Sequence, residues 1–248
     1  MKAIILAAGY ATRLYPLTEN KPKCLLEVGG IRILDRIVRQ INEIHGIEEI
    51  IIVTNARFFD QLNDWKKLAV SAAPVSVLND KTTSNDNRLG ALGDLGFAIR
   101  ETRLQSDLLL LASDNLFEQS LNDFTAFAQS RKKSVSIGVY DLGRPEMASK
   151  KFGVIETNSS GEVIGFEEKP QKPKSSLIGM GVYYFPAETL HFVEEYLGSA
   201  NAQDAPGHYV RWLLGKVKIF SLQFRGLWYD IGDLKSLEEA DQIFKSKT

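Results

Sequence analysis

The amino-terminal segment of the chain combines a turn of small residues with two cationic side chains. Residues 3–6 form an apolar run of strand length, residues 7–9 read Ala-Ala-Gly, and Arg13 and Lys23 follow. A strand that runs into such a turn exposes successive backbone N–H groups, which form a concave surface that binds anions. This segment therefore favours phosphate binding, with Arg13 and Lys23 as fixed positive charges. A plain tight turn with a surface arginine is the alternative that these residues alone leave open.

Two aspartates lie where ligand-binding residues are expected in an α/β sheet. Asp114 follows a leucine-rich run at 107–112, and Asp230 lies between Trp228 and Gly232. Ligands of open parallel sheets bind at the carboxyl ends of the strands, so we expect Asp114 at a cleft. Both residues also have structural alternatives. Aspartate is well suited to cap a helix, and an aspartate close to glycines is typical of a turn.

The elements that would position these residues alternate between strands and helices. Apolar residues recur with helical spacing in 31–43, and the β-branched residues of 49–54 predict a buried strand. A second helix and a further strand follow, which implies βαβ units and a mainly parallel sheet with right-handed crossovers. Residues 152–156 and 163–170 read as two strands joined by an Asn-Ser-Ser-Gly turn, so the second half adds an antiparallel hairpin.

The last third of the chain is predicted as two further helices and a strand. The helices are expected at 188–196 and 209–214, with 204–208 as the loop before the second one, and the strand at 217–224. An amphipathic helix at 234–244 closes the chain.

Bulk properties exclude several classes of protein. The net charge of −1 argues against a general affinity for nucleic acid or for an anionic membrane. Cys24 is the one cysteine, so the chain can form neither an internal disulfide nor a zinc site built on paired cysteines. No apolar run approaches the length of a membrane span, and the early apolar run is too short for a signal peptide. We therefore expect a cytoplasmic protein without nucleic-acid or membrane partners.

The string from Leu6 to Lys23 closely resembles the signature of the sugar-phosphate nucleotidyltransferases, L-A-G/A-G-x-G-T-R-L-x-P-L-T followed by P-K. It departs at Ala11, where the family usually has its second glycine. Four later segments also resemble family elements, namely G-D-N-x-F, E-K-P, G-x-Y-x-F and G-x-W-x-D-x-G, at 114–117, 168–170, 181–185 and 226–232. The resemblance covers residues 1–244 and is greatest for the short glucose-1-phosphate thymidylyltransferases.

The resemblance implies a Rossmann-like α/β fold, a three-layer sandwich with a mainly parallel mixed sheet and antiparallel additions in the second half. Residues 1–248 would form a single domain, with a nucleotide-binding half at about 1–133 and a sugar-phosphate-binding half at about 134–248. A homo-oligomer is compatible with this assignment.

The resemblance also assigns roles to individual residues. Arg13 and Lys23 would act on the pyrophosphate and on the α-phosphate region, and Asp114 and Asp230 would hold Mg²⁺. The nucleotide would lie against Leu6, Ala8, Gly9, Ala11, Thr12 and Gly90. The sugar phosphate would lie against Gly153, Glu168, Lys169 and Gly181, with Lys169 at its phosphate.

The reaction implied by the family is attack of a sugar 1-phosphate on the α-phosphorus of a nucleoside triphosphate, which releases pyrophosphate. The nucleophile is already an anion, so positioning and charge neutralisation carry the catalysis. The Asp114–Asn115 pair favours a glucose-1-phosphate thymidylyltransferase. Cytidylyl- and guanylyltransferases of the same superfamily share most of these motifs. A non-catalytic sugar-nucleotide sensor is the alternative from another class, and Ala11 is the feature that favours it.

Ala11 has two structural interpretations. With φ below zero its methyl group is tolerated, whereas a positive φ would strain the backbone by about 1 kcal/mol. Our hypothesis is that Ala11 adopts an unstrained conformation and that the turn binds triphosphate through backbone N–H groups.

Overall fold

The structure is a computed structural model that describes residues 1–199 and 206–246. In these residues the strands are β1 (Lys2–Leu6), β2 (Glu27–Val28), β3 (Ile31–Arg32), β4 (Glu49–Thr54), β5 (Val75–Asn79), β6 (Leu108–Ala112), β7 (Asn115–Phe117), β8 (Val135–Asp141), β9 (Gly153–Thr157), β10 (Val163–Glu168), β11 (Leu177–Phe185), β12 (Ile219–Gln223) and β13 (Trp228–Asp230). The α-helices are α1 (Ile33–Asn42), α2 (Phe59–Leu68), α3 (Gly90–Thr102), α4 (Leu121–Gln129), α5 (His191–Leu197), α6 (Pro206–Leu213) and α7 (Leu234–Lys245).

A mixed sheet forms the centre of the fold. Its strand order is β10-β9-β11-β6-β1-β4-β5, and β8 pairs with both β11 and β12. In the first half all neighbours are parallel: β1 pairs with β4 and β6, and β4 pairs with β5. In the second half β11 joins antiparallel to β6, and β9 and β10 form the predicted hairpin. The predicted α/β fold with a mainly parallel mixed sheet and antiparallel additions is confirmed.

Helices cover both faces of this sheet, which gives the three layers. On one face, the predicted apolar stripe of α1 is buried in a core shared with α2, α4 and α7: Ile33, Leu34, Ile37, Val38 and Ile41. On the other face, α3, α5 and α6 pack around Leu95, Val193 and Tyr209. Each such side chain contributes about 1.5–3 kcal/mol when it is fully removed from water. The two cores fix the sheet between them, so the strand ends at one edge are held rigidly.

A small second sheet was not predicted. β7 and β13 pair antiparallel, with Asp230 opposite Asn115 and Trp228 opposite Phe117. The backbone N–H of Ile231 also donates to the carbonyl of Asp114 at 2.9 Å. This pairing brings the segment around Asp230 directly beside the end of β6.

Two predicted segments differ from the structure at their starts. The helix expected at 188–196 begins at His191, after a 3-10 turn at Ala187–Thr189 in which the Thr189 hydroxyl donates to the carbonyl of Pro186. The loop expected at 204–208 lies partly outside the described residues, and from Pro206 onward it belongs to α6. Proline is well suited to the first turn of a helix because its missing N–H has no helical partner there. None of the helices in the described residues is both long and apolar enough to span a membrane.

Candidate active site

A cleft opens at the carboxyl ends of β1 and β6 and encloses a cavity of about 540 Å³. The cavity brings together most of the residues predicted to form the site: Leu6, Ala8, Gly9, Lys23, Gly90, Asp114, Gly153, Glu168, Lys169 and Gly181. Ala11, Thr12, Arg13 and Asp230 do not belong to its wall. The cleft therefore combines residues from both halves of the chain, as the sequence predicted.

The turn after β1 is held in place by β4. The N–H of Ala7 donates to the carbonyl of Val53 at 2.8 Å, and the buried Asn55 side chain donates to the carbonyl of Ala8 at 2.9 Å. Asn55 also accepts the N–H of Phe58. The sequence analysis missed Asn55, although a polar residue directly after an apolar strand is a visible signal. Within the described residues, a Cβ atom added at Gly9 would meet nothing within 4 Å beyond its chain neighbours, so the turn leaves open space for a ligand.

The backbone of Ala11 lies in the left-handed region, with φ 48° and ψ 42°. The hypothesis of an unstrained conformation is therefore wrong. The conformation is held by its neighbours, since the carbonyl of Ala11 accepts from the N–H of Leu14 at 2.9 Å and from the hydroxyl of Thr18 at 2.8 Å. A left-handed alanine costs roughly 1 kcal/mol or slightly more. A glycine at this position would avoid that cost.

The two aspartates converge beside Lys23. The Lys23 ammonium lies 2.6 Å from Oδ2 of Asp114, and the Asn115 amide donates to Oδ1 of Asp114 at 3.0 Å. Asn115 is in turn fixed by the indole N–H of Trp228, which donates to it at 2.7 Å. The β7–β13 sheet thus orients Asp114 from one strand while it brings Asp230 from the other.

The charged groups of this corner affect the pKa of Asp230. Burial, and after it the negative charge of Asp114, raise the pKa of Asp230 to about 7. The positive charges of Lys23 and Arg13 act on the pKa of Asp230 in the opposite direction. Arg13 belongs to the 3-10 turn Thr12–Leu14, so the segment after the phosphate-binding turn supplies a cation to the aspartates. Two carboxylates and two cations therefore share one partly buried corner of the site.

The opposite wall is assembled by close packing around Glu168. A Cβ atom at Gly153 would lie 3.1 Å from Oε2 of Glu168 and would overlap the ring of Phe166. A Cβ atom at Gly207 would overlap both side chains. The Glu168 carboxylate is thus held between two glycines. Gly207 was missed because only the folded chain shows that α6 packs against β10.

Lys169 and Gly181 occupy the same wall. The Lys169 ammonium lies 3.7 Å from Oε1 of Glu168, and its side chain is 57% exposed, so it is free to meet a ligand. Gly181 has φ +70°, and a Cβ atom there would lie 2.8 Å from the Cβ of Ala112. Glycine is required at this position because of its positive φ and because β11 pairs with β6, which places Gly181 against Ala112.

Gly90 opens helix α3 with φ +77° and lines the same cavity as Gly9. The first backbone N–H groups of a helix have no partner within it and favour electron-rich ligand groups. Three further charged residues that the sequence analysis missed also line the cavity, namely Arg88, Asp94 and Lys151. Asp94 is the one charged residue among the first ten residues of α3, which is a signal that the sequence does contain.

Comparisons with known proteins identify the family. The family model described as nucleotidyl transferase matches residues 2–247. The chain belongs to the nucleotidyl transferase family.

The chain is also similar along its length to curated relatives. The chain is 29% identical over 243 residues to the bifunctional protein GlmU of Methanococcus aeolicus, which covers 97% of this chain and 54% of the relative. It is 25% identical over 250 residues to GlmU of Methanocaldococcus jannaschii, covering 100% of this chain and 55% of the relative. The chain thus spans about half the length of these curated relatives.

Among solved structures, the fold superimposes on a UDP-glucose pyrophosphorylase bound to UDP-glucose, with a TM-score of 0.84, 21% identity and coverage of 100% and 99% of the two chains. A structure from Bacillus anthracis described as a glucose-1-phosphate thymidylyltransferase gives a TM-score of 0.81 at 24% identity, with coverage of 99% and 95%. At these identities the likeness concerns the fold.

Proposed function

We propose that the protein joins a nucleoside triphosphate to a sugar 1-phosphate to give a nucleotide sugar and pyrophosphate, and that the substrate pair is dTTP and glucose 1-phosphate. The observation that carries the proposal is the convergence of the small-residue turn, Lys23 and Asp114 on one cleft whose other wall carries Glu168 and Lys169, with Asp230 beside Asp114. The family membership supports the reaction class, and the Asp114–Asn115 pair supports the choice of dTTP.

In this mechanism the triphosphate lies against the turn at Leu6–Gly9, and the sugar phosphate lies against Glu168 and Lys169. An oxygen of the sugar phosphate attacks the α-phosphorus, and the bond to the pyrophosphate oxygen breaks in line with it. Lys23 neutralises charge at the α-phosphate, and Arg13 holds the departing pyrophosphate. Because both substrates are polyanions, this neutralisation and alignment supply most of the rate enhancement.

The donor set of Asp114 and Asp230 fits Mg²⁺. Both are hard oxygen ligands, which this metal prefers together with phosphate oxygens. The raised pKa of Asp230 reflects a buried site beside the Asp114 carboxylate, where a divalent cation would relieve the repulsion. Within the described residues no group of three or more His, Cys, Asp or Glu side chains is placed to hold a metal, so the substrates would complete the coordination. When bound, the metal supplies charge neutralisation and orientation of the phosphates.

The test is to measure pyrophosphate release from a panel of triphosphates and sugar phosphates with Mg²⁺. We expect release only when both substrates and the metal are present, and the highest kcat/KM for dTTP with glucose 1-phosphate. Lys23→Ala should reduce the rate at least about 10²-fold, while the control Lys67→Ala, at an exposed ion pair with Asp64, should not. A protein that binds nucleotide sugars but releases no pyrophosphate with any pair would support the sensor alternative instead.

A further inference from the structure

A cluster of cations at the edge of the sheet opposite the cleft has no part in the mechanism above. Lys132 and Lys133 lie between α4 and β8, directly after Arg131, and Lys216 and Lys218 lie between α6 and β12. These five residues are called the basic end below. The net charge of −1 argues against an affinity for anions spread over the whole surface, but it is an average that does not show a local excess of one sign.

The pairing of β8 with β12 brings the two loops together. The strands are parallel, with Val135 opposite Ile219, so both begin at the same edge of the sheet. The N–H of Val135 donates to the carbonyl of Lys218 at 3.0 Å. Because neighbouring strands lie about 4.8 Å apart, the loops that precede them are adjacent. The cations therefore form one surface, although they come from distant parts of the chain.

The basic end faces away from the cleft. β11 runs antiparallel to β6, and β8 runs antiparallel to β11, so β8 and β12 run in the same direction as β6. The cleft lies at the carboxyl end of β6, whereas the cations lie at the amino ends of β8 and β12. Helix α6 likewise begins at the cleft wall with Gly207 and ends before the loop that carries Lys216. A partner bound to the basic end would therefore leave the cleft accessible.

Most of these charges are available to a partner. Lys132, Lys133 and Lys218 are exposed, and their ammonium groups form no ion pair with another residue that the structure describes. Lys216 differs, because it is paired with Glu195 at 2.8 Å. A single exposed lysine is normally solvated and needs no partner. Three unpaired lysines on one surface repel one another, and an anionic partner would relieve that repulsion.

The surroundings of the cations favour a partner that is recognised by charge alone. The guanidinium group of Arg131 lies over the rings of Phe127 and Phe220, 3.7 and 5.2 Å from their centroids, so these rings are not free to stack on nucleic-acid bases. The outer edge of β12 is also occupied, because the N–H of Ser221 donates to the carbonyl of Gly161 at 2.9 Å. That bond blocks the addition of a peptide strand there. Long, exposed lysine side chains suit the headgroups of anionic lipids.

We propose that the basic end binds an anionic membrane surface peripherally, with the cleft directed away from the lipid. The attraction acts between lysine side chains and lipid headgroups and requires no insertion into the bilayer. It is screened by salt and falls off within a Debye length, so the binding is reversible and depends on ionic strength. This inference does not depend on the reaction assigned to the cleft.

The test measures sedimentation of the full-length protein with vesicles of phosphatidylcholine alone, and with vesicles that also contain about 30% phosphatidylserine, at low and at high salt. The patch variant replaces the three unpaired lysines: Lys132→Gln, Lys133→Gln and Lys218→Gln. The control variant replaces three exposed lysines of α2 and α7: Lys66→Gln, Lys67→Gln and Lys235→Gln. Both variants lose the same charge, so only its location differs. Thermal melts check that both remain folded, as expected for exposed side chains.

We expect the wild type to bind the vesicles with phosphatidylserine at low salt, to be released at high salt, and not to bind phosphatidylcholine alone. The patch variant should bind at least about 30-fold more weakly, because each lysine near an anionic leaflet contributes about fivefold. The control variant should stay within about threefold of the wild type.

The inference is wrong if the wild type does not bind the anionic vesicles, if it binds both kinds of vesicle equally, or if the two variants lose binding to the same extent. Soluble polyglutamate is a further probe. If it binds to the wild type but not to the patch variant, while the vesicles do not bind, the basic end recognises an acidic protein segment and the lipid assignment is overturned.

Discussion

The two walls of the cleft use glycine for opposite purposes. On the wall that follows β1, Gly9 faces open space, and in the described part of the chain a Cβ atom placed there would meet nothing within 4 Å beyond its chain neighbours. On the wall formed by β9, β10 and α6, Gly153 and Gly207 make room for Glu168 and Phe166, which are part of the protein itself. The first wall leaves its space to a ligand, while the second uses its space to fix a carboxylate.

Substitutions on the first wall should therefore affect the binding of a ligand, whereas substitutions on the second wall should affect the stability of the fold. A methyl group on the first wall competes with a ligand but with no part of the fold. A methyl group on the second wall competes with side chains already packed there. The corner with Asp114 and Asp230, where we propose that the metal binds, lies beyond β6, which stands between β1 and the strands of the second wall in the sheet. Substitutions at the three places should therefore have different effects.

The largest effect is expected at the corner with Asp114 and Asp230. Asp230→Asn should lower kcat by about 10³-fold, because a positioned charge in such a site is worth this much, and should leave the melting temperature at pH 7.5 unchanged or raised. The measurement is steady-state pyrophosphate release together with a thermal melt, with the exposed Asp123→Asn as control. Full activity in Asp230→Asn would remove this residue from the active site and with it the idea that both walls serve one centre.

The Asp230→Asn substitution also tests the raised pKa of Asp230, through the pH dependence of the free energy of unfolding. The pKa of Asp230 is raised from 3.8 to about 7, so between these values the folded state holds a proton that the unfolded state has released. The stability contributed by that proton is fully present below about pH 4 and is lost as pH rises through about 7. In metal-free buffer, Asp230→Asn should therefore show a smaller fall in the free energy of unfolding from pH 4.5 to 7.5 than the wild type. An unchanged slope in urea titrations would contradict the raised pKa.

A matched pair of glycine substitutions tests the comparison directly. Gly207→Ala should destabilise the fold by about 1–3 kcal/mol, because the new methyl group overlaps Glu168 and Phe166. Gly9→Ala should leave stability unchanged or slightly higher, and should weaken triphosphate binding at least about tenfold because its methyl group enters the ligand space. Urea denaturation and isothermal titration separate the two effects. The comparison between the walls fails if Gly9→Ala destabilises the protein and Gly207→Ala does not.

A smaller and more selective effect is expected at Lys169. Because it lies on the second wall beside Glu168, Lys169→Ala should raise KM for the sugar phosphate by about tenfold, equivalent to about 1.4 kcal/mol of binding, and change KM for the triphosphate much less. Lys172→Ala, a nearby exposed cation, is the control. The reverse ranking would mean that the two walls have been assigned to the wrong substrates.

Local patterns in the sequence predicted the parts of the fold that depend on them. The apolar run before Asp114 identified a buried strand and hence a residue at the cleft, and the spacing in α1 identified its buried face. The β7–β13 sheet could not be predicted in this way. Its strands have three residues each, too few for periodicity, and they come from distant parts of the chain.

The residues of the candidate site also divide into those that local sequence patterns predict and those that only the folded chain reveals. Residues within one continuous motif were found, whereas Gly207 and Asn55 owe their importance to neighbours from other elements. Asp94 carried a visible signal, an acid in the apolar first part of α3, but only the folded chain shows that it is buried in the cleft wall. The backbone angle of Ala11 was not predictable from residue type, because alanine by itself favours negative φ.

The smallest effect is expected at Ala11, which belongs to the first wall's segment but not to the cavity. Ala11→Gly removes about 1 kcal/mol of left-handed strain and adds about 0.5–1 kcal/mol of chain entropy to the unfolded state. The two contributions nearly cancel, so the free energy of unfolding should change by less than about 1 kcal/mol. The carbonyl of Ala11 keeps its bonds to Leu14 and Thr18 in either case, so the turn stays in place. The kcat/KM for the triphosphate should then change by less than about tenfold. If the wild type is inactive and Ala11→Gly restores robust activity, the alanine has disabled the phosphate-binding turn, and the sensor alternative gains the support that the cleft otherwise denies it.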